Sequence, residues 1–525
     1  MFSQSNDNNC IIKKTAHPCV TREIVSELSL PDYLPDVSRL LRTCAAVGEE
    51  GSYIDGGNIM YDGKIDIMII YATSDGRIKS VPMSCEFDGA IEQPCELGDA
   101  KTELSVEIES VSCRLQNPRR LSVKTKICVL LDIYESICAT PKLSGKLSAE
   151  DETRIQKKAS DIETIRRVHV ADENVPISED VEIDQSAPAI GEIISVNLSP
   201  YISEVRPTDG RISYRGDITA EIIYLAKEDD PALPPRYIAF RRMIPIMGEV
   251  VAEGVTDACQ GVGSVIVGMP EFRPQANSFG ENRTVEIDLS YTAHLFAVCN
   301  ARVCVVGDMY SVDYQSQNDM TKIENMSLLR ASSFNFTADG AMSLDDKEFD
   351  SVIAQTANAT VEKTEHSGTK MSFVGRVDVS MILSNGAGAY IGRSFAFPFR
   401  AEAECGRAHG EVKCISSAAV INASSFVSGG EIHCEAEIGV SFIAYDQAEL
   451  DVVEKCTIMK DRPQKHAAVS SMVICYPSEG DDVWSISKRY SLSPDDLRAK
   501  NMISGDDVSG RVIIIPREEK KRNIF

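Results

Sequence analysis

The sequence has few of the residues and runs on which metal, redox and membrane functions depend. Its 525 residues include 1 Trp and 7 His, and the histidines are dispersed with no H-E-x-x-H motif. The 16 Cys are scattered, and none forms the C-x-x-C pair of a zinc or redox site. The glycine-rich stretch at residues 261–268 is not followed by the Lys-Ser/Thr of a P-loop. We therefore predict a non-enzymatic protein with no catalytic, cofactor-binding or metal-ligating residues.

Basic residues and long apolar runs are also scarce. The chain has 54 Lys and Arg against 79 Asp and Glu, and the resulting net charge of -25 repels the phosphates of a nucleic acid. The first ten residues are polar and hold no signal-peptide core, and no run of about 18 apolar residues occurs. We expect a cytoplasmic protein with no nucleic-acid partner and no direct membrane insertion, whose cysteines are mostly reduced and buried.

Three stretches of the chain repeat one pattern. Each begins with an aromatic residue, has glycine two positions later and continues into a strand that alternates before it becomes fully apolar. The glycines are Gly63, Gly216 and Gly375, which lie 153 and 159 residues apart. Alternating segments follow at residues 121–131, 284–296 and 431–444. Alternation with a period of two is typical of half-buried strands in antiparallel sheets.

The repeat predicts a mainly β protein with three homologous β-rich domains of antiparallel sheets. Three polar or charged segments, at residues 150–167, 316–350 and 459–468, have few strand-forming residues, and we interpret them as linkers. The predicted β domains are 1–150, 151–318 and 319–460, and a C-terminal domain follows over 469–518.

The C-terminal domain has the pattern of a small βααβ module. A short apolar run around Val473 is followed by a turn, and Asp481 or Asp482 then provides the N-cap of a first helix. Ser493 is a natural N-cap of a second helix, which has Pro494 at its first position. The apolar run at 512–515 returns as a strand that pairs with the first.

This module resembles the LysM domain. The resemblance implies binding of N-acetylglucosamine polymers such as peptidoglycan, in a groove between the first helix and the loop after the second. The sequence departs from the family at Asp482, where Thr is usual, and an anion at the lip of the groove favours a protein ligand instead. The residues that carry the resemblance are Gly480, Asp481, Trp484, Ile486, Tyr490, Leu497, Asn501, Ile515 and Pro516.

Several residues of this groove are candidates for partner binding. Trp484 either covers the small core of the module or lines the groove. Asn501 is first of all a C-cap of the second helix. Met502 and Ile503 have no periodic partner, so we expect them to be exposed apolar residues of a protein-binding patch. The candidate site residues are Asp481, Asp482, Trp484, Asn501, Met502 and Ile503.

Three β-rich units followed by a LysM domain resemble the SPOCS-repeat proteins of spore-forming bacteria. The glycine strands, the Leu-Pro-Asp-Tyr-Leu-Pro-Asp lead-in at residues 30–36 and the terminal module carry the resemblance. It implies a spore-coat morphogenetic protein, made in the mother-cell cytoplasm and recruited to the forespore surface. The implied partners are the coat-basement ATPase, stage IV sporulation protein A, and other coat proteins.

Two functions therefore remain open. The first is a non-enzymatic assembly adaptor of the spore coat, which binds the ATPase through its LysM domain. The second is a protein that binds peptidoglycan or another N-acetylglucosamine polymer through the same groove. The polar N-terminus without an export signal and the carboxylate of Asp482 favour the adaptor.

Overall fold

The computed structural model describes residues 10–16, 19–55, 58–92, 101–144, 148–228, 234–464 and 473–515. Antiparallel strands dominate these residues, which confirms the predicted mainly β fold. The three helices have five, eight and eight residues. Each is far too short to reach across the hydrocarbon core of a bilayer, so the described part of the chain has no membrane-spanning helix.

The first unit has a four-stranded sheet and a three-stranded sheet. In the four-stranded sheet, β7 (Arg120–Cys138) pairs with β1 (Cys10–Ala16), β2 (Cys19–Ser29) and β6 (Lys101–Asn117). The three-stranded sheet is a meander of β3 (Val37–Asp55), β4 (Asn58–Thr73) and β5 (Ile78–Glu92).

The second and third units follow the same plan. In the second, β15 (Asn282–Ser311) pairs with β9 (Ile155–Glu182), β13 (Gln260–Val267) and β14 (Glu271–Ala276), and the meander is β10 (Ile190–Thr208), β11 (Arg211–Ala226) and β12 (Tyr237–Val251). In the third, β21 (Glu431–Pro463) pairs with β16 (Tyr314–Ser343), β20 (Glu411–Ser428) and, in parallel, β8 (Lys142–Ser144). Its meander is β17 (Ser351–Ser367), β18 (Lys370–Ser384) and β19 (Tyr390–Glu404), and helix α1 (Ala149–Thr153) lies between β8 and β9.

The C-terminal module has the predicted βααβ order. It consists of β22 (Val473–Cys475), α2 (Val483–Tyr490), α3 (Pro494–Asn501) and β23 (Ile513–Ile515), and β22 pairs with β23 in antiparallel register. Residues 469–472 and 516–518 of the predicted domain lie outside the described residues.

Each β unit closes its two sheets around a core of its own, because one face of every central strand is apolar. In the first unit, Ile65, Ile67 and Ile69 of β4 pack in one cluster with Ile127 and Val129 of β7. Equivalent clusters fill the second and third units. Alternating burial along β15 and β21 shows the period of two that the sequence predicted.

The repeated aromatic and glycine residues have a packing role. Tyr61 lies opposite Gly89 and Tyr214 lies opposite Gly248 on the neighbouring strand, and a Cβ at either glycine would collide with the facing ring. The glycine two positions after Tyr214 is equally crowded, because a Cβ at Gly216 would lie 3.0 Å from Cα of Ile202. The pattern therefore marks a strand approached closely on both sides.

The three meanders meet at a shared apolar cluster. Ile70, Ile223 and Ile382 occupy equivalent positions in the three central strands and all lie in this cluster. Tyr237 and Tyr390 pack edge to face with ring centroids 5.3 Å apart, and the Tyr237 hydroxyl accepts a hydrogen bond from the Ile78 amide at 2.7 Å. The three units therefore pack against one another through side chains and are not independent of each other.

A buried ion pair lies at the same junction. Nη2 of Arg42 in the first unit is 2.7 Å from Oε2 of Glu221 in the second, and the two side chains are 1% and 6% exposed. Glu221 also accepts a hydrogen bond from the Gln355 amide of the third unit at 2.8 Å. One carboxylate therefore connects all three units.

The distal halves of the longest strands form a second meeting region. Val303 and Val305 of β15 pack with Ile323 of β16 and Val452 of β21, together with Ile11 of β1. An adjacent cluster joins the last residues of β15 and β21 to the start of β9. The C-terminal module lies against the ends of β9 and β15 in this region.

The interpretation of three polar segments as linkers is wrong, because most of their described residues belong to strands. Residues 155–167 belong to β9, residues 316–343 belong to β16, and residues 459–463 are the end of β21, while 465–468 lie outside the described residues. Among the strands that the structure describes, β9 and β16 are edge strands that each pair with one neighbour, and polar and charged side chains are common on edge strands. The boundaries at 318 and 460 consequently fall inside strands, and the division into domains stays a prediction.

The proline-containing lead-in is also placed differently from the prediction. Residues 30–36 follow β2 and connect it to β3, so they lie inside the first unit and not before it. The guanidinium of Arg119 donates hydrogen bonds to the carbonyls of Pro31 at 2.9 Å and Leu34 at 3.2 Å. The place of this segment between β2 and β3 follows from the pairing of β2 with β7, a long-range contact that the residues of the segment do not encode.

Candidate functional site

The C-terminal module has a small core between its two strands and two helices. Val483, Ile486, Leu497 and Val508 are fully buried, and Ile513 of β23 is 1% exposed. The helical spacing of Val483 and Ile486 turns one side of α2 inward. Trp484 and Lys488, one turn apart, lie on another side of this helix.

Asp482 is the N-cap of α2, which resolves the choice between the two aspartates. Its carboxylate accepts a hydrogen bond from the Ser485 amide at 2.7 Å, and the Ser485 hydroxyl accepts one from the Asp482 amide at 2.9 Å. Asp481 instead pairs with Arg489, whose Nη2 lies 2.6 Å from its Oδ1. The hydrogen bond from Arg489 and that from the Ser478 amide hold the pKa of Asp481 below its usual range.

The two loops that flank the groove are joined to each other. The Val483 amide donates a hydrogen bond to the Asp506 carbonyl at 3.1 Å, and Asp482 and Asp507 form an isolated antiparallel bridge. Asn501 holds the second loop against the sheet. Its amide nitrogen donates to the Ile514 carbonyl at 2.7 Å and to the Leu497 carbonyl at 2.9 Å. Asn501 is therefore the last residue of α3 and ties the helix to β23. The C-cap is Met502, so the expectation of a C-cap at Asn501 is wrong.

Met502 and Ile503 differ in exposure, which corrects one sequence expectation. Met502 is 92% exposed and has a φ of 53°, as expected for an apolar loop residue in a left-handed C-cap. Ile503 is only 7% exposed and belongs to the module core, so the interpretation as an exposed residue is wrong. The chain reverses at Met502, and this turns the next side chain inward.

The outer face of the two-stranded sheet is apolar. Val473 and Cys475 face the helices, so Ile474 and Tyr476 face outward, and they are 47% and 75% exposed. Val512, next to β23, is 54% exposed. This sheet face lies on the side of the module opposite α2.

Helix α2 lies against the end of β15. Nε1 of Trp484 donates a hydrogen bond to Oδ2 of Asp308 at 2.8 Å, and its ring packs edge to face on Tyr310 with centroids 5.0 Å apart. The Tyr310 hydroxyl donates to the Leu492 carbonyl at 2.6 Å. Trp484 is therefore half-buried outside the module core, between the module and the second β unit.

Two ion pairs flank this aromatic contact. Nζ of Lys488 lies 2.7 Å from Oδ1 of Asp308, and Nζ of Lys158 in β9 lies 3.2 Å from Oδ2 of Asp482. Lys158 and Asp308 are opposite each other in the β9–β15 ladder, where the register shifts around Gly307. A β-bulge re-aims neighbouring side chains, and Asp308 at this one faces the module.

Burial and neighbouring charges shift the pKa values of Tyr310 and Asp482 at this contact. Burial raises the pKa of Tyr310, and the Asp308 carboxylate adds to this effect, so Tyr310 remains a hydrogen-bond donor. Burial alone would raise the pKa of Asp482. The hydrogen bonds from Ser485 and Lys158 outweigh that effect and lower it, so Asp482 is an anion at neutral pH.

The comparison with family models now assigns this module. Residues 478–516 match the LysM domain. Neither the curated proteins nor the solved structures give a match for the chain. The LysM match indicates binding of a peptidoglycan- or chitin-type glycan, or of a protein, by the last part of the chain.

The LysM residues are recognisable in the sequence, but their contacts with the second β unit are not. Asp481, Asp482, Asn501 and Ile503 all have partners inside the module or hold its loops. Asp308, Tyr310 and Lys158, which complete the surroundings of α2, come from strands more than 150 residues earlier. The only local signal for them is a glycine within a strand at Gly307, which is a common mark of a bulge.

Proposed function

We propose that this chain is a non-enzymatic assembly adaptor whose LysM domain binds a protein. The observation that carries the proposal is the exposure of apolar side chains on the domain: Tyr476 and Val512 beside the two-stranded sheet and Met502 after α3 are 75%, 54% and 92% exposed. Exposed aliphatic and aromatic side chains suit a protein surface, whereas a sugar polymer needs convergent hydrogen-bonding groups. The three joined β units provide a broad platform for further contacts.

The identity of the partner is a finer part of this proposal. The resemblance to SPOCS-repeat proteins supports a role in assembly of the spore coat, in the mother-cell cytoplasm and at the forespore surface. The proposed partner is the coat-basement ATPase, stage IV sporulation protein A, with other coat proteins as further partners. The LysM match is compatible with this role.

Glycan binding is the second candidate, and the LysM match itself favours it. The loop with Gly480 and Asp481 keeps the family sequence. Against it, the carboxylate of Asp482 is at the lip of the groove in place of the usual Thr, and it is bound by Lys158. Peptidoglycan binding therefore remains the alternative to be tested directly.

The test compares both ligands on the full chain. Purified coat-basement ATPase and insoluble peptidoglycan are each incubated with the parent chain and with Tyr476→Ser and Met502→Asn. Asn tolerates the left-handed backbone at position 502. The matched control is Phe279→Ser, because Phe279 is 88% exposed in the β14–β15 turn of the second β unit.

We expect the ATPase to bind and the two module variants to lose about 1 to 3 kcal/mol of binding free energy. The control should bind as the parent does. Tight retention on peptidoglycan without capture of the ATPase would reject the adaptor and establish the glycan function.

A further inference from the structure

Helix α2 presents a binding surface that the module core does not use. Trp484 and Lys488 lie one turn apart and project away from the buried Val483 and Ile486. A large aromatic side chain beside a cation on a small module is a typical anchor for a protein partner. In this chain the anchor is already occupied.

The occupant is an extended strand with a simple chemical pattern. Asp308 accepts hydrogen bonds from the Trp484 indole at 2.8 Å and from Lys488 at 2.7 Å. Tyr310, two residues later and on the same face of β15, packs on the Trp484 ring and binds the Leu492 carbonyl. A carboxylate followed two positions later by an aromatic ring therefore contacts both side chains, Trp484 and Lys488, of this helix face.

We propose that the Trp484–Lys488 face of α2 is a docking site for an extended acidic-x-aromatic segment of a partner protein, and that β15 occupies it in cis. The inference rests on the proposed function, protein binding by the LysM domain, and adds a second protein-binding surface on α2, with its partner chemistry and its regulation. The Asp308-Met309-Tyr310 strand is an internal competitor that keeps the domain closed on the second β unit.

The closed state is held by interactions that a competitor can replace. The Asp308 carboxylate is 25% exposed and Lys488 is 45% exposed, so neither charge is left buried when the contact opens. The second pair, Lys158 with Asp482, is more exposed still. Because the competitor is on the same chain, its effective concentration is of millimolar order. The apparent affinity for an external segment is the intrinsic affinity multiplied by the fraction of domains that are open.

The experiment uses the full chain with changes on the β unit only, so that α2 keeps its sequence. Asp308→Ala with Lys158→Glu removes the internal carboxylate and repels Asp482. The matched control is Asp288→Ala with Lys370→Glu, which removes a carboxylate from another part of β15 and reverses the charge of an exposed lysine in β18 of the third unit. Trp484 is the only tryptophan, so acrylamide quenching of its fluorescence reports directly whether the domain has opened.

The ligand probe is a labelled peptide with the sequence of residues 303–311, carrying Cys304→Ser. A second peptide also carries Asp308→Asn and Tyr310→Ala. Binding is measured by fluorescence anisotropy. In the opened variant, we expect Trp484 to be more accessible to acrylamide and the first peptide to bind at least about 10-fold more tightly than to the parent or the control. The second peptide should bind weakly to all three chains.

Three results would overturn the inference. In the first, acrylamide quenches Trp484 of the opened variant no more than Trp484 of the parent. In the second, the first peptide binds the parent and the opened variant equally. In the third, Trp484 of the opened variant is accessible but the first peptide does not bind. The coat-basement ATPase separates this inference from the proposed function. If the ATPase binds no chain while the peptide binds as expected, the proposed partner is rejected and the docking site stands.

Discussion

The glycines of the repeated pattern provide the sharpest test of the fold. Gly216 lies in the central strand of the second meander, opposite Ile202 and next to a register shift in β10. A Cβ at this position would lie 3.0 Å from Cα of Ile202 and closer still to the Tyr201 carbonyl oxygen. Both are backbone atoms, so no side-chain rotation relieves the collision. We predict that Gly216→Ala destabilises the second unit.

The expected loss of unfolding free energy follows from the backbone atoms that the new methyl group would meet. Adding a methyl group to a well-packed site costs about 1 to 3 kcal/mol, and a rigid backbone neighbour places this site at the upper end. For a folding unit of about 150 to 250 residues, 1 kcal/mol shifts the melting temperature by about 2 to 4 °C. The expected decrease in melting temperature is therefore roughly 6 to 12 °C.

The assay is thermal unfolding followed by circular dichroism and calorimetry, with Gly51→Ala as the control. Gly51 is also within a strand, but a Cβ there meets no atom within 4 Å. Gly51→Ala should leave stability unchanged or raise it by about 0.4 to 1 kcal/mol through the unfolded state. A Gly216→Ala shift no larger than that of Gly51→Ala would refute the close-approach explanation of the repeat.

Three further predictions concern the junction and the module. Glu221→Gln leaves the Arg42 charge buried without its counter-ion and should cost about 3 to 5 kcal/mol of unfolding free energy, measured by urea denaturation. Ile503→Ala removes buried volume and should destabilise the LysM domain by about 2 to 5 kcal/mol, seen as an earlier unfolding transition in Trp484 fluorescence. The lowered pKa of Asp482 stabilises α2 above the ordinary aspartate pKa of about 3.9, and this stability is lost as the pH falls through the lower folded-state value.

Each of these predictions has a matched control. Glu249→Gln breaks an exposed ion pair with Arg211 in the same sheet and should cost no more than about 1 kcal/mol, so an equal effect at Glu221 would contradict the buried junction. Met502→Ala truncates an exposed neighbour of Ile503 and should leave the module transition in place. Asp482→Asn keeps a capping side chain without a titrating group, and an unchanged acid transition would argue against the role of Asp482.

The local features of the C-terminal module were predictable from its sequence. An N-cap at Asp481 or Asp482, the apolar stripe of Val483 and Ile486 and the proline at the start of α3 are all short-range signals, and the structure then selects Asp482. Ile503 was misjudged because its burial depends on the reversal of the chain at Met502, whose φ of 53° no neighbouring residue type requires. Exposure of a loop residue is decided by the path of the backbone, not by its composition.

The sequence by itself determined that the chain is mainly β, that one strand pattern recurs three times and that a βααβ LysM domain ends the described part. These properties rest on alternation, turns and caps, which act over a few residues. Only the tertiary structure decided that polar segments such as β9 and β16 are edge strands, that Arg42 meets Glu221, and that Asp308 and Tyr310 hold Trp484. These outcomes depend on contacts between residues more than about 80 positions apart in the sequence, where register and packing override local composition.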